Sequence, residues 1–348
     1  MSLTRGPSNR ESSSRHLTKD SFAKMRLPHH LVESLLFQYE TVDDLVLSLG
    51  SEVTPAEVLD IRRLVALGLP PVISRDVLAT IIGVNPGLIW SMERRPRKYY
   101  RYFPIKKGVG ERHIFAPRVA LKIIQKWLSY QFARTYLAPP HVFGFVAGRS
   151  HLQAANAHCG ARWVHSVDIR DFFPSITANV LSSKLVELGY NDLSSDFITK
   201  FCCLNGQLAQ GAPTSPTLSN LVFRAMDNRL VEIAERFGAR LSRYADDIVF
   251  SGTQQFPEDL PACVEEIFVG QPWQLAPEKT ETAILPHRLK VHGLLVHGHK
   301  IRLTKGYRNR IRAYEHLQAN GRIIDEDARR VGGHLMYARQ VESFIVPD

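Results

Sequence analysis

Apolar residues recur every three or four positions through "LVESLLFQYETVDDLVLSLG" and "TPAEVLDIRRLVALGL", the spacing of helices that hide one face. The second stretch opens with Thr54 and Pro55, a capping residue followed by one suited to a first helical turn. "SRDVLATIIGVNPGLIWSM" reads as a further helical pair. Residues 1 to about 27 lack this periodicity and predict a disordered, basic tail.

From about residue 99 the period changes. "YYRYFPIKKGVGERHIFAP" carries two aromatic and β-branched runs around a Gly-containing turn, which predicts a hairpin. "VALKIIQKWLSYQFARTYL" returns to an amphipathic helix, and "RWVHSVDI" (162–169) is a strand. Over 215–238, Leu218, Leu221, Val222 and Ala225 share one helical face, with Ser215 to cap it, Pro216 in its first turn and Gly238 to end it. "SRYADDIVFSG" reads as two short strands joined by a turn at Ala245–Asp246. No change of composition divides this α+β region, so interleaved subdomains are expected.

Composition changes the picture little: 348 residues, 44% hydrophobic and 22% charged, describe an ordinary folded protein. Charge changes it more. The net charge is +10, and residues 93–126 hold eleven Lys/Arg against two Glu, with Tyr and Phe among them. Residues 287–312 hold eight Lys/Arg and four His without an acid. Such runs suit a groove that tracks phosphates while rings stack on bases. Cys159, Cys202, Cys203 and Cys263 form no CxxC pair, which argues for a reducing compartment and against zinc. No apolar run approaches membrane-spanning length, so no membrane partner is expected.

The chemistry lies in three acids. Asp246 and Asp247 interrupt an apolar strand pair, and Asp168 ends another strand just ahead of Asp171, Phe172 and Phe173. Neighbouring carboxylates about 4 Å apart repel by roughly 4 kcal/mol at an effective dielectric near 20. They must therefore raise their pKa values or bind cations, and hard oxygen ligands suit Mg²⁺. Two such ions can serve nucleotidyl transfer, one activating the attacking hydroxyl and one the leaving oxygen.

These stretches resemble the boxes of reverse transcriptases, in order: "VDIRDFFPSI", "QGAPTSPTLSNLVF" (210–223), "YADD", "APEKTETAI" (276–284) and the primer-grip hairpin "LKVHGLLVHGHKIRL" (289–303). "YYRYFPIKKGVGERHIFAPRVALKIIQKWL", "GFVAGRSHLQAANAHCGARWVHSVDI" and "GGHLMYARQVE" (332–342) resemble the bacterial retron type. Two departures stand out. The usual NAxxH has Ala154 where Asn is expected, with Asn156 and His158 nearby, and the usual VTG is Val291-His292-Gly293. Both motifs are tied to recognition of a cognate RNA.

The resemblance implies a right-hand polymerase with fingers, a ferredoxin-like palm and a short thumb. Its parts would be a tail (1–27), an N-terminal helical region (28–95), interleaved fingers and palm (96–285), and primer-grip hairpin with thumb (286–348). It implies Asp168, Asp246 and Asp247 as ligands of two Mg²⁺ ions, and dNTP substrates contacted by Lys106, Arg112, Phe173, Gln210, Gly211 and Lys279. Phe173 would exclude a 2′-hydroxyl. Lys279 would be either a proton donor to pyrophosphate or a solvated lysine. His158, His292, Arg302, Lys305, Arg308 and Arg312 are the candidate RNA contacts, with a structural role or a buried histidine as the alternative for His158.

The implied activity is copying a structured noncoding RNA into single-stranded, 2′–5′ branched DNA that stays bound, in the bacterial cytoplasm. Such systems serve antiphage defence, with an effector that would be a separate protein. The alternatives are a nucleoprotein scaffold restraining an effector and a non-retron defence-associated reverse transcriptase.

Overall fold

The structure is a computed structural model that describes residues 29–107 and 110–345; the tail expected at 1–27 lies outside the described residues. Its N-terminal helices are α1 (His29–Glu33), α2 (Val42–Leu49), α3 (Pro55–Ala66), α4 (Arg75–Ile82) and α5 (Pro86–Arg94). The helical spacing over 31–50 is not one helix. Phe37 has a φ of 57°, and Thr41 restarts the chain through a reciprocal cap with Asp44. Thr54 and Glu57 form the same device ahead of α3, with Pro55 in its first turn.

The expected hairpin is β1 (Tyr100–Lys107) against β2 (Gly110–Pro117), and helix α6 (Val119–Thr135) follows. Trp127 and Gln131 on α6 donate to the backbone of the N-terminal segment, at Ser34 O (3.0 Å) and Val32 O (2.7 Å). Leu45, Ile61, Leu64, Leu78 and Ile89 share one apolar cluster with Trp127 and Phe132. Each such fully buried side chain contributes about 1.5–3 kcal/mol, so the N-terminal helices form one body with the fingers core.

After α7 (His151–Asn156) comes β3 (Trp163–Asp168), then α8 (Ala178–Leu188), α9 (Asp192–Cys202) and the short hairpin β4 (Cys203–Leu204) and β5 (Gln207–Leu208). Helix α10 (Thr214–Arg236) leads to β6 (Arg240–Tyr244) and β7 (Asp247–Gly252), followed by α11 (Leu260–Glu266) and β8 (Glu281–Ile284). Strands β6-β7-β3-β8 make an antiparallel sheet in that order. Ser215 does not cap α10: Pro213 holds the cap position, and the Ser215 hydroxyl donates to Ala209 O at 2.7 Å. The hydroxyl is fully buried and spends its hydrogen bond tying the preceding loop to the helix.

Alternation along β3 and β7 divides the interior in two. Trp163, Val167, Ile248 and Phe250 face the main cluster with Leu218, Phe223 and Leu230 of α10. Val164 and Val249 face a second cluster. That cluster is completed by β9 (Lys290–Val291), β10 (Leu294–Leu295), β11 (Arg302–Leu303), α12 (Lys305–Ala319) and α13 (Asp325–Glu342), through Leu294, Leu303, Ile311, Leu335 and Ala338. The architecture is a right-hand polymerase, with helices added ahead of the fingers.

Candidate active site

Tyr244 pairs with Asp247 across β6 and β7, so Ala245 and Asp246 alone make the turn. Ala245 has a φ of 60°, a left-handed conformation that costs a non-glycine residue roughly 1–2 kcal/mol. Arg243 offsets this by donating from Nη1 to Ala245 O at 3.2 Å. The same guanidinium is fully buried, donates to both oxygens of Asp227 on α10 at 2.7 Å, and reaches Asn220 Oδ1 at 3.1 Å. Asn220 in turn donates to Gly144 O at 3.0 Å. Gly144 passes directly under the turn: a Cβ there would lie 2.3 Å from Ala245 N. The acid-bearing turn is thus held from below by a charged network rather than by apolar packing.

The same register sets Asp168 directly opposite Asp247. Ile169 N donates to Asp246 O at 3.0 Å, which ties the end of β3 to the turn. Burial, then the charge of Asp168, push the Asp246 carboxyl above its ordinary value. Asp168 and Asp247 each have a cationic or hydrogen-bonding neighbour. Lys279 forms an ion pair with Asp168 Oδ1, and His292 Nδ1 lies 3.0 Å from Asp247 Oδ2.

In front of the turn opens a cavity of about 560 Å³. Arg112, Phe145, Phe173, Gln210, Asp246 and Lys279 are among its walls. Phe172 is buried against Phe223, whereas Phe173 is half-buried, lines the cavity and lies 5.7 Å from Phe145, ring centre to ring centre. Its lining mixes the rings of Phe115, Phe145, Phe172 and Phe173 with the cations of Arg112 and Lys279 and the carboxylates of Glu111, Asp171 and Asp246. Rings for a base and cations for phosphates suit a triphosphate-bearing base once those carboxylates are neutralised.

Residues 105–306 match the family described as "Reverse transcriptase (RNA-dependent DNA polymerase)". The chain belongs to that family. Its relatives include Retron Ec86 reverse transcriptase of Escherichia coli, 32% identical over 83% of this chain and 91% of that one. Retron Mx65 reverse transcriptase of Myxococcus xanthus is 30% identical over 81% of this chain and 71% of its own. Among solved structures, a foamy viral protease-reverse transcriptase in complex with double-stranded DNA covers 69% of this chain and 36% of its own, at 16% identity and a TM-score of 0.41. The retron relatives place the chain among bacterial retron reverse transcriptases, and its activity is RNA-directed DNA polymerisation. Enzymes of this family use divalent metal and dNTPs on an RNA template.

The reverse transcriptase brings together at one cavity Arg112, Phe173, Gln210, Asp246 and Lys279, with Asp168 and Asp247 on the adjoining strands. Others fall elsewhere. Lys106 is exposed on β1 and does not line the cavity. Gly211 is exposed but is not among the residues lining the cavity. Its φ is +111°, and a Cβ would meet Ile114 Cγ2 at 2.9 Å and Phe115 O at 3.0 Å. The close approach is to β2, where Phe115 N also donates to Gln210 O at 2.8 Å.

His158 is not an RNA contact. It has no exposed surface, and its two ring nitrogens lie 2.7 Å from the hydroxyls of Ser251 and Ser242, which pins β6 and β7 from the thumb side. Burial, with Arg240 and His292 adding to it, lowers its pKa to about 3, so it is neutral. His292 likewise turns inward, to Asp247 and the Tyr244 ring, and its side chain is 9% exposed, too little for an RNA surface. Arg302, Lys305 and Arg308 do share a basic cavity beside the thumb with Arg288 and His297, and Arg312 is exposed on α12. His297 and His299 lie outside the strands; Arg302 Nη2 is 2.9 Å from His297 Nε2.

Arg243, Asp227, Asn220, Gly144 and Phe145 escaped the sequence reading. One signal was present: Asp227 interrupts the apolar stripe of α10, and Arg243 sits on a strand two residues ahead of the turn. A buried acid and a buried base need each other.

Proposed function

We propose that the retron reverse transcriptase copies a dedicated structured noncoding RNA into single-stranded DNA joined to it by a 2′–5′ branch. It would act in the bacterial cytoplasm as the polymerase of an antiphage system whose effector is a separate protein. The observation that supports this best is the direct pairing of Asp168 with Asp247, beside the Asp246 turn at the back of the cavity.

The donor set fits hard divalent cations, and two Mg²⁺ ions are the reading we adopt, held by Asp168, Asp246 and Asp247. One feature favours it: Asp246 carries a raised pKa beside the like charge of Asp168, while Lys279 would have to share Asp168 with a metal. Bound metal supplies positive charge for the attacking hydroxyl and the leaving pyrophosphate. The chain's own residues do the rest. Arg112, on the cavity wall, binds the triphosphate, with Lys106 further out on the same hairpin. Phe173 lies under the sugar and leaves no room for a 2′-hydroxyl. Gln210 fixes the fingers strand against the cavity through Phe115. Lys279 holds Asp168 before substrate arrives and stands near enough to the cavity to protonate pyrophosphate.

The test is to purify the protein from cells carrying its native locus, beside an Asp246→Ala/Asp247→Ala control, and to sequence the accompanying nucleic acid. DNA that depends on the two acids and shifts on debranching is the expected result. Unbranched DNA would remove the retron-type product, and RNA without DNA in both samples would remove the polymerase reading.

A further inference from the structure

Arg243 holds the acid-bearing turn from below, and a column of rings reaches the same turn from the thumb. Tyr244, the residue just before the turn, has two aromatic neighbours. His292 lies 5.4 Å away, ring centre to ring centre, and His151 lies 6.3 Å away at 84°, edge to face. His151 is stacked in turn on Tyr337 of α13, at 5.6 Å and 20°, and its Nε2 is 3.2 Å from the Tyr337 hydroxyl. Beyond Tyr337 stands Tyr307 of α12, at 5.8 Å, whose hydroxyl is 2.7 Å from His334 Nδ1. These spacings are the ones at which paired rings attract beyond their burial.

The ring in the middle is built into place. His151 is the first residue of α7, and Ser150 caps that helix in a reciprocal pair with Gln153. One residue earlier, Arg149 donates to Val142 O at 2.5 Å. Val142 lies on the loop that carries Gly144 beneath the turn, and Phe143 N of that loop donates to Arg243 O at 2.8 Å. The start of α7 and the floor of the turn are thus one bonded unit.

Rings at the rim of an apolar core often do no more than pack. Here the packing is done by their neighbours: Leu152 and Ala155 of α7, and Leu335 and Ala338 of α13, are buried in the second cluster. His151 and Tyr337 are only half-buried beside them. Burial, then His292, lower the His151 pKa, and burial raises that of Tyr337, so the contact is between two neutral rings. Flat side chains with few rotamers, joined by a hydrogen bond, transmit a position that a flexible aliphatic contact would blur.

Tyr244 is where that position would be felt. Its backbone pairs with Asp247, and the next residue, Ala245, has a φ of 60°. A left-handed non-glycine residue persists only where its surroundings over-determine it. Arg243 supplies one restraint. The clasp of His151 and His292 on the Tyr244 ring is a second, and its outer end belongs to the thumb.

We propose that His151 and Tyr337 are positioning residues of the polymerase: stacked on each other, they hold Tyr244, and through it the Ala245–Asp246 turn, in its reactive geometry while α13 is seated. The proposal rests on the reading that the acids of this turn carry the chemistry, and adds to it a dependence on the thumb.

The experiment uses the full chain with a DNA primer annealed to an RNA template. It measures single-turnover addition of one nucleotide, primer–template affinity and the urea midpoint. Tyr337→Leu leaves an apolar side chain on α13 without the ring, His151→Ala removes the middle of the column, and Tyr337→Phe loses only the hydroxyl. Tyr337→Leu and His151→Ala should each lower the maximal rate about fivefold, within what one aromatic pair is worth. The dNTP concentration for half-maximal rate and the primer–template affinity stay within about twofold of wild type, the pattern of a group that acts on the chemical step alone. Tyr337→Phe stays within about twofold throughout. His151→Ala/Tyr337→Leu is again about fivefold slower, because either change already breaks the column. An unchanged maximal rate in the single variants, or losses that multiply in the double variant, overturns the proposal. So does a loss confined to primer–template affinity, which would leave Tyr337 to the thumb's grip. Each single variant reads this split by itself if the other has a collapsed urea midpoint. An Asp246→Ala/Asp247→Ala protein that still extends the primer would overturn the reading of the turn instead, and this proposal with it.

Discussion

Arg243 and Asp227 meet through two hydrogen bonds of 2.7 Å, and neither side chain reaches solvent. Removing one partner leaves an unpaired buried charge, which costs about 3–5 kcal/mol. Asp227→Asn is therefore expected to lower the urea midpoint sharply. Asp227→Leu/Arg243→Met recovers much of that loss but not polymerisation, because the Ala245 carbonyl still lacks its donor.

The same pair sets an acid limit. Burial raises the Asp227 pKa, but Arg243 and His141 outweigh it and hold it below its ordinary value of 3.8. A carboxyl depressed on folding stabilises the protein above its unfolded pKa, and that contribution fades as pH falls through the folded value. Denaturation curves taken below about pH 4 should show this loss in wild type and not in the Leu/Met double variant.

His158 sets a second, higher limit. A histidine held neutral, with its pKa lowered from 6.5 to about 3, favours the folded state above pH 6.5 and loses that contribution as pH falls toward 3. At pH 5 the loss is about 2 kcal/mol relative to pH 7.5. His158→Gln should flatten the change in urea midpoint between those two pH values. His165, lowered to about 4 by burial, retains its own smaller share.

His292 Nδ1 faces Asp247 from a residue with a φ of 48°. Asn can put a nitrogen where Nδ1 stood and tolerates that backbone; Ala can do neither. On the proposed two-magnesium site, His292→Asn should keep the magnesium requirement within about threefold of wild type, while His292→Ala raises it about 10–100-fold, as loss of a ligand's supporting partner does. Magnesium titrations of primer extension distinguish the two.

Phe173→Ala should reduce the preference for dCTP over CTP by at least about tenfold, read as the ratio of kcat/KM values. Phe145→Ala should move the same ratio in the same direction by less, because Phe145 only backs the Phe173 ring.

The strands, the hairpin and the paired acids were legible because they are short-range. Period-two alternation placed the turn at Ala245–Asp246, and Asp168 at a strand end required a neighbour strand. What supports the turn was not legible. The partners of Arg243 lie on α10 and on the loop at Gly144, and no local pattern says which helix packs beneath which strand. His158 and His292 were assigned to RNA from their places in family motifs, and no local pattern shows that the fold turns both rings inward.

Strands β3 and β7 carry the acids and also form the partition between the two apolar clusters, with Val167 and Ile248 on one side and Val164 and Val249 on the other. A wall shared in this way cannot yield on one side alone. Heating should therefore abolish the thumb's hold on product and the chemistry at the turn in a single cooperative step. No warm, half-melted enzyme would survive that still clamps a duplex it has lost the means to extend.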